Sequence, residues 1–200
     1  MLTIHNLALK SNKQTILDVK DLTLDFQKKY LLLGENSSGK SLFLNTLHIN
    51  KGKNIAFTNL NEAKNRRLTI LIEQKINLLE NLSVWKNLQM GIPKINKEIK
   101  SSLTNLCKQV ELTGYFNEKT CKLSFSNQKL IELIRAIVIA PALLLIDDFD
   151  KYFDDIVGIE AIALLALAVS RGVIVLCTSS QTQIGFDETL VIQDGKILVQ

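Results

Sequence analysis

One stretch restricts the possible folds more than any other. Tyr30-Leu31-Leu32-Leu33 reads as a buried strand. Gly34-Glu35-Asn36-Ser37-Ser38-Gly39-Lys40-Ser41 follows with the spacing G-x-x-x-x-G-K-S, and Leu42-Phe43-Leu44 opens a helix. The glycines at 34 and 39 let the backbone curl so that successive N–H groups point inward. The loop then feeds a helix N-terminus whose partial positive charge faces an anion. Residues 34–42 are therefore the expected cradle for a triphosphate, with Lys40 reaching the terminal phosphates and the Ser41 hydroxyl offered to magnesium.

Composition sets the outer limits. Two hundred residues, 46% of them apolar, suit one domain with a sizeable core. The longest apolar runs, Ile137 to Ile146 and Ala161 to Val169, are too short to span a bilayer, and Pro141 interrupts the first. Met1-Leu2-Thr3-Ile4-His5-Asn6 lacks the basic start and long apolar run of an export signal. Cys107, Cys121 and Cys177 are scattered and odd in number, which fits a reducing compartment. The net charge of +4 is mild, and Lys64-Asn65-Arg66-Arg67 has no aromatics interleaved, so it reads as a solvated face and no nucleic-acid partner is expected.

From Leu2 to Phe26 apolar residues alternate around a turn at Ser11-Asn12-Lys13, predicting short antiparallel strands. Lys51-Gly52-Lys53 breaks the helix after the phosphate loop. Asn54 to Phe57 adds a strand, and Leu68 to Ile72 reads as a buried strand that delivers Glu73 and Gln74 at its end. Helical spacing takes over between Lys75 and Lys122, where Ile95, Ile99, Leu103, Leu106 and Val110 recur after a break at Gly91 and Pro93. Met90 and Trp85 there read as core or groove residues. A further helix runs from about Ser126, its expected N-cap, to about Ala140.

Leu143-Leu144-Leu145-Ile146 ends in Asp147 and Asp148, a strand that presents two acids at the edge where ligands sit in open α/β sheets. Asp147 is expected to hold magnesium, and Asp148 to orient or deprotonate an attacking water. Ile159 to Val169 reads as an apolar helix, Val173 to Cys177 as a buried strand with Thr178-Ser179-Ser180 as its polar exit, and Thr189 to Val199 as a hairpin around Asp194-Gly195.

In this order the pieces resemble the nucleotide-binding subunit of ATP-binding cassette (ABC) transporters. Gly34 to Ser41 is similar to the family's Walker A loop, Gln74 to the Q-loop glutamine, Leu82 to Leu88 to the segment after it, and Leu123 to Asn127 to the L-S-G-G-Q signature. Arg135-Ala136 matches the signature helix, Leu143 to Asp147 Walker B, Asp154 the D-loop aspartate, and Thr178-Ser179 the H-loop.

The resemblance implies an α/β P-loop NTPase (RecA-like) core over 31–74 and 123–200, with a mainly antiparallel β subdomain at 1–30 and a helical subdomain at about 75–122. It implies ATP and Mg2+ as cofactors, with Gln74 and Ser124 added to the nucleotide contacts and Gln74 joining Ser41 and Asp147 at the metal. Two such subunits close head to tail, and integral membrane subunits dock near Gln74 and the helical subdomain. That places the chain at the inner face of the cell membrane.

The departures from the family pattern imply an ATPase of reduced activity. Asp148 stands where the family has glutamate, and Ser179 where it has the switch histidine. Phe125, Ser126 and Asn127 replace the end of the signature, and Lys10 and Ser11 lie near the missing adenine-stacking aromatic. A displacement of about 1 Å at a catalytic group can cost on the order of a hundredfold in rate. Three readings follow: a slow transporter ATPase, a nucleotide-gated dimerisation module that scarcely hydrolyses, and a soluble relative acting in DNA repair or metal-cluster assembly.

Overall fold

The computed structural model describes residues 1–11, 14–49, 55–57, 69–153 and 155–200. Strands β1 (Leu2–Ser11), β2 (Gln14–Leu24) and β4 (Ile55–Phe57) form an antiparallel sheet in the order β2-β1-β4. The first two are long strands rather than the short ones expected, because a register shift at Leu9/Lys10 absorbs the break in alternation without ending the pairing.

The second sheet has the order β5-β6-β7-β3-β8-β9. Its members are β3 (Lys29–Leu33), β5 (Thr69–Ile72), β6 (Leu143–Ile146), β7 (Ile174–Ser179), β8 (Glu188–Gln193) and β9 (Lys196–Val199). Neighbours pair in parallel except β8 with β9, which meet antiparallel across a turn where Asp194 and Gly195 both have positive φ.

Helices cover the connections: α1 (Lys40–Ile49), α2 (Val84–Gln89), α3 (Lys97–Gln109), α4 (Phe125–Ile139), α5 (Phe149–Tyr152) and α6 (Asp155–Ser170).

The central strands are apolar at successive positions because both of their faces are covered. Tyr30, Leu32, Leu143, Leu145, Ile174 and Leu176 pack with α1 and the antiparallel sheet. Leu31, Leu144, Ile146, Val175 and Cys177 point the other way, into one cluster with α4, α6 and the apolar sides of α2 and α3.

Three local expectations are corrected. The segment ending at Ile72 is half-buried rather than buried, because among the described residues β5 is an edge strand paired with β6 alone. The N-cap of α4 is Ser124, which accepts a hydrogen bond from Asn127 N at 3.2 Å, while Ser126 lies inside the helix. Capping requires the hydroxyl to precede the first turn by one residue, and the helix begins two residues earlier than its apolar periodicity suggests. Thr178 and Ser179, read as the polar exit after a strand ending at Cys177, belong to β7 and are fully buried. Asn12, Lys13, Lys51 to Asn54, Lys64 to Leu68 and Asp154 lie outside the described residues.

Candidate functional site

Parallel pairing brings the C-terminal ends of β5, β6, β7 and β3 to one edge of the sheet. There the loop after β3 turns tightly into α1. Gly39 has φ +101°, which favours glycine, and a Cβ added to Gly34 would lie 2.5 Å from Ile192 Cγ2 and 2.6 Å from Ser38 Oγ. Lys40 is nearly buried, and its ammonium donates to the carbonyls of Gly34 at 2.6 Å and Glu35 at 2.8 Å.

The strand β6 delivers the two acids. Thr178, on the neighbouring β7, holds both: its hydroxyl donates to Asp147 Oδ1 at 2.7 Å and accepts from Asp148 N at 2.8 Å. Asp147 N donates to Ile72 O at 2.9 Å, tying the acids to the edge strand as well. Asp148 has a left-handed backbone (φ 49°), a conformation that aspartate tolerates better than most residues. The short helix α5 begins after it, so Lys151 comes back over Asp148 one turn later, with Nζ 2.7 Å from Oδ2. The Gln74 side-chain amide, arriving from the end of β5, donates to the same oxygen.

Burial alone pushes the Asp148 carboxyl up. Lys151 and Gln74 outweigh it, with Lys40 adding to them, and hold it below its ordinary value. The hydrogen bond to Asp148 raises the Lys151 ammonium in turn.

These groups meet in a cleft of about 480 Å³ lined by Asn36, Ser37, Gly39, Lys40, Ser41, Leu42, Asp148 and Lys151, with Ile16 at its edge. Gly34, Glu35 and Ser38 line the adjoining hollow against β8. The predicted phosphate loop and the predicted acid at 148 thus converge. Gln74 joins them through its bond to Asp148, and Asp147 sits one residue away under Thr178.

Ser124 does not line this cleft; it caps α4. Ser179 does not reach the cleft either, because its hydroxyl is bound to Gln181 N and O at 3.0 and 2.5 Å. Asp154 is outside the described residues, as are the side chains of Lys10 and Ser11.

Sequence reasoning passed over Lys151. Its signal was a cation three residues after an acid, which becomes a contact only once a helical turn starts at that acid.

The site fits a magnesium-bound phosphate on two counts. Ser38 Oγ is buried within the loop with no hydrogen-bond partner, and the cradle has no room for a Cβ at Gly34. The three expected ligands, the Ser41 hydroxyl, the Gln74 amide and the Asp147 carboxylate, each offer an oxygen donor. That suits a hard cation which takes one or two carboxylates and completes its shell with phosphate and water. Among the described residues no group of three or more His, Cys, Asp or Glu forms a self-sufficient metal cage.

Residues 17–150 match the ABC transporter family profile. The chain is 31% identical over 159 residues to the spermidine/putrescine import ATP-binding protein PotA of Acetivibrio thermocellus, an alignment covering 74% of this chain and 45% of that one. It is 26% identical to the phosphate import ATP-binding protein PstB of Mycoplasma genitalium, across 98% of this chain and 66% of that one. The chain thus spans less than two thirds of the length of these curated relatives. Its fold is similar to CbiO1 of Clostridium perfringens, part of the ABC transporter complex CbiONQ, with TM-score 0.80, 21% identity and coverage of 98% and 86%. It is also similar to a dimeric ATP-binding cassette bound to ADP and phosphate, with TM-score 0.78, 19% identity and coverage of 98% and 96%. A profile match running from the second strand through the acidic strand end shows that this chain belongs to the ABC transporter family.

Proposed function

We propose that the chain is the ATP-binding subunit of a membrane transport complex, that it binds Mg-ATP in the cleft between Lys40 and Asp148, and that it hydrolyses it slowly. The observation that carries the slow step is the double engagement of Asp148 Oδ2 by Lys151 and Gln74. A carboxylate held below its ordinary pKa by a cation is a weak proton acceptor. Lys40 exchanges its two loop carbonyls for phosphate oxygens. Ser41, Asp147 and Gln74 would hold magnesium, which supplies neutralisation of phosphate charge when bound.

The relatives' names, import ATP-binding proteins, support a partner in the membrane. Among the described residues no helix is long and apolar enough to cross a membrane. In this reading the chain attaches at the inner face through that partner, as the relatives' import role supports. Its docking surface is the groove of about 360 Å³ beside Gln74, walled by His48, Glu73, Asn77, Met90, Glu132 and Arg135. A second ABC-type subunit, a copy or a different chain, closes head to tail and brings its Ser124-type helix N-terminus to this nucleotide. No nucleic acid takes part.

The alternative is a nucleotide-gated dimerisation subunit that does not turn over. It is favoured by Phe125, whose half-exposed ring stands at the start of α4, on the segment where bare backbone would otherwise approach phosphate. Filter binding of ATP beside a phosphate-release assay tests the proposal. Mg-dependent binding, abolished in Lys40→Ala, with slow release above background, is expected. Release at background points to the dimerisation subunit. Rapid turnover by the isolated chain, or binding indifferent to Lys40→Ala, overturns the reading.

A further inference from the structure

Inside the core, where the sequence alone calls for an apolar residue, α4 carries Lys129 with its side chain fully buried. An ammonium costs a great deal to take out of water unless all its donors are used. All three are used here. Nζ lies 2.9 Å from Glu132 Oε2, donates to the carbonyl of Glu73, and donates to the carbonyl of Lys75 at 3.2 Å. Glu132 is also buried, and its other oxygen accepts the backbone N–H of Asn77. The rings of Tyr152 and Phe125 flank the cation, their centroids 4.9 and 5.7 Å from Nζ.

The two carbonyls that Lys129 takes belong to the residues on either side of Gln74. Glu73, Gln74, Lys75 and Asn77 are themselves exposed, so packing does little to hold this loop. A leucine or methionine at 129 would fill the core equally well but leave both peptide planes unanchored.

We propose that Lys129 is a positioning residue. Paired with Glu132, it clamps the peptide groups flanking Gln74 and so sets where the Gln74 amide meets Asp148 and the nucleotide's metal. This deepens the Mg-nucleotide reading and rests on it for its functional half. The clamp also links three parts of the chain: the loop after β5, the start of α4 that Ser124 caps, and α5, whose Tyr152 lies one turn from Asp148.

The test compares wild type with Lys129→Met/Glu132→Met, which keeps the core filled and leaves no buried charge unpaired. Circular dichroism and hydrogen exchange in β6 and β7 serve as the check on folding. Without nucleotide, the amide of Asn77 should exchange about tenfold faster in the variant while β6 and β7 are unchanged. Unchanged exchange at Asn77 overturns the clamp, whatever the fate of the nucleotide reading.

With ATP present, the Mg2+ concentration that half-saturates binding should rise about tenfold in the variant. In a Gln74→Ala background the same double change should have no further effect. A rise that persists without Gln74, or no rise in a folded variant, overturns the positioning role. Should wild type bind no ATP, the exchange arm still decides whether the buried Lys129–Glu132 pair holds the loop.

Discussion

Lys151 Nζ lies 2.7 Å from Asp148 Oδ2, the oxygen that also accepts the Gln74 amide. The acid to which the proposed function gives the attacking water is thereby paired with a cation of its own chain.

Replacing Lys151 with methionine removes the main group holding that carboxyl down, and its pKa should rise. An acid held ionised in the fold stabilises it above its ordinary value of 3.8 and loses that contribution as pH falls through its lower folded value. The variant should therefore show a weaker loss of stability over that acid range. Carboxyl 13C NMR, with Asp148→Asn to assign the signal, reads the pKa directly. The same variant should release phosphate about tenfold faster at neutral pH, since a less strongly held carboxylate is a better base.

Asp148→Asn keeps a residue type that tolerates the left-handed backbone at this position. ATP affinity should stay within about twofold while phosphate release falls by about a hundredfold. Equilibrium binding and single-turnover release, measured on one preparation, separate the two effects.

Thr178→Val leaves the fold's shape but strips the hydroxyl that joins Asp147 Oδ1 to Asp148 N. A buried N–H then goes unpaired, at a cost of about 1–3 kcal/mol in a urea melt. Weaker Mg2+ dependence of ATP binding should accompany it, because Asp147 loses the partner that orients it.

Gly34→Ala drives a methyl against Ile192 Cγ2 and Ser38 Oγ. Overpacking of this kind costs about 1–3 kcal/mol, and the loop can relieve it only by opening the cradle. ATP binding should be lost before the protein unfolds, as judged by filter binding on samples whose circular dichroism matches wild type.

Much of this protein is legible along the chain itself. The spacing from Gly34 to Ser41, the continuous apolar runs at 30–33 and 143–146, and the acids after the second run depend on local conformation and on burial of both strand faces, which leave a one-dimensional pattern. Those features determine the parallel sheet, the phosphate loop and the family. The packing environment was less readable: β5 is at an edge, Thr178 and Ser179 are buried, and α4 is capped by Ser124, since exposure depends on which neighbour a strand or helix meets. Only the tertiary structure decided that Lys151 sits on Asp148, that Thr178 joins both acids, and that a lysine in the core grips the loop around Gln74. Each of these joins residues through directional bonds a few ångströms long, and no periodicity in a sequence encodes a distance between side chains on different elements.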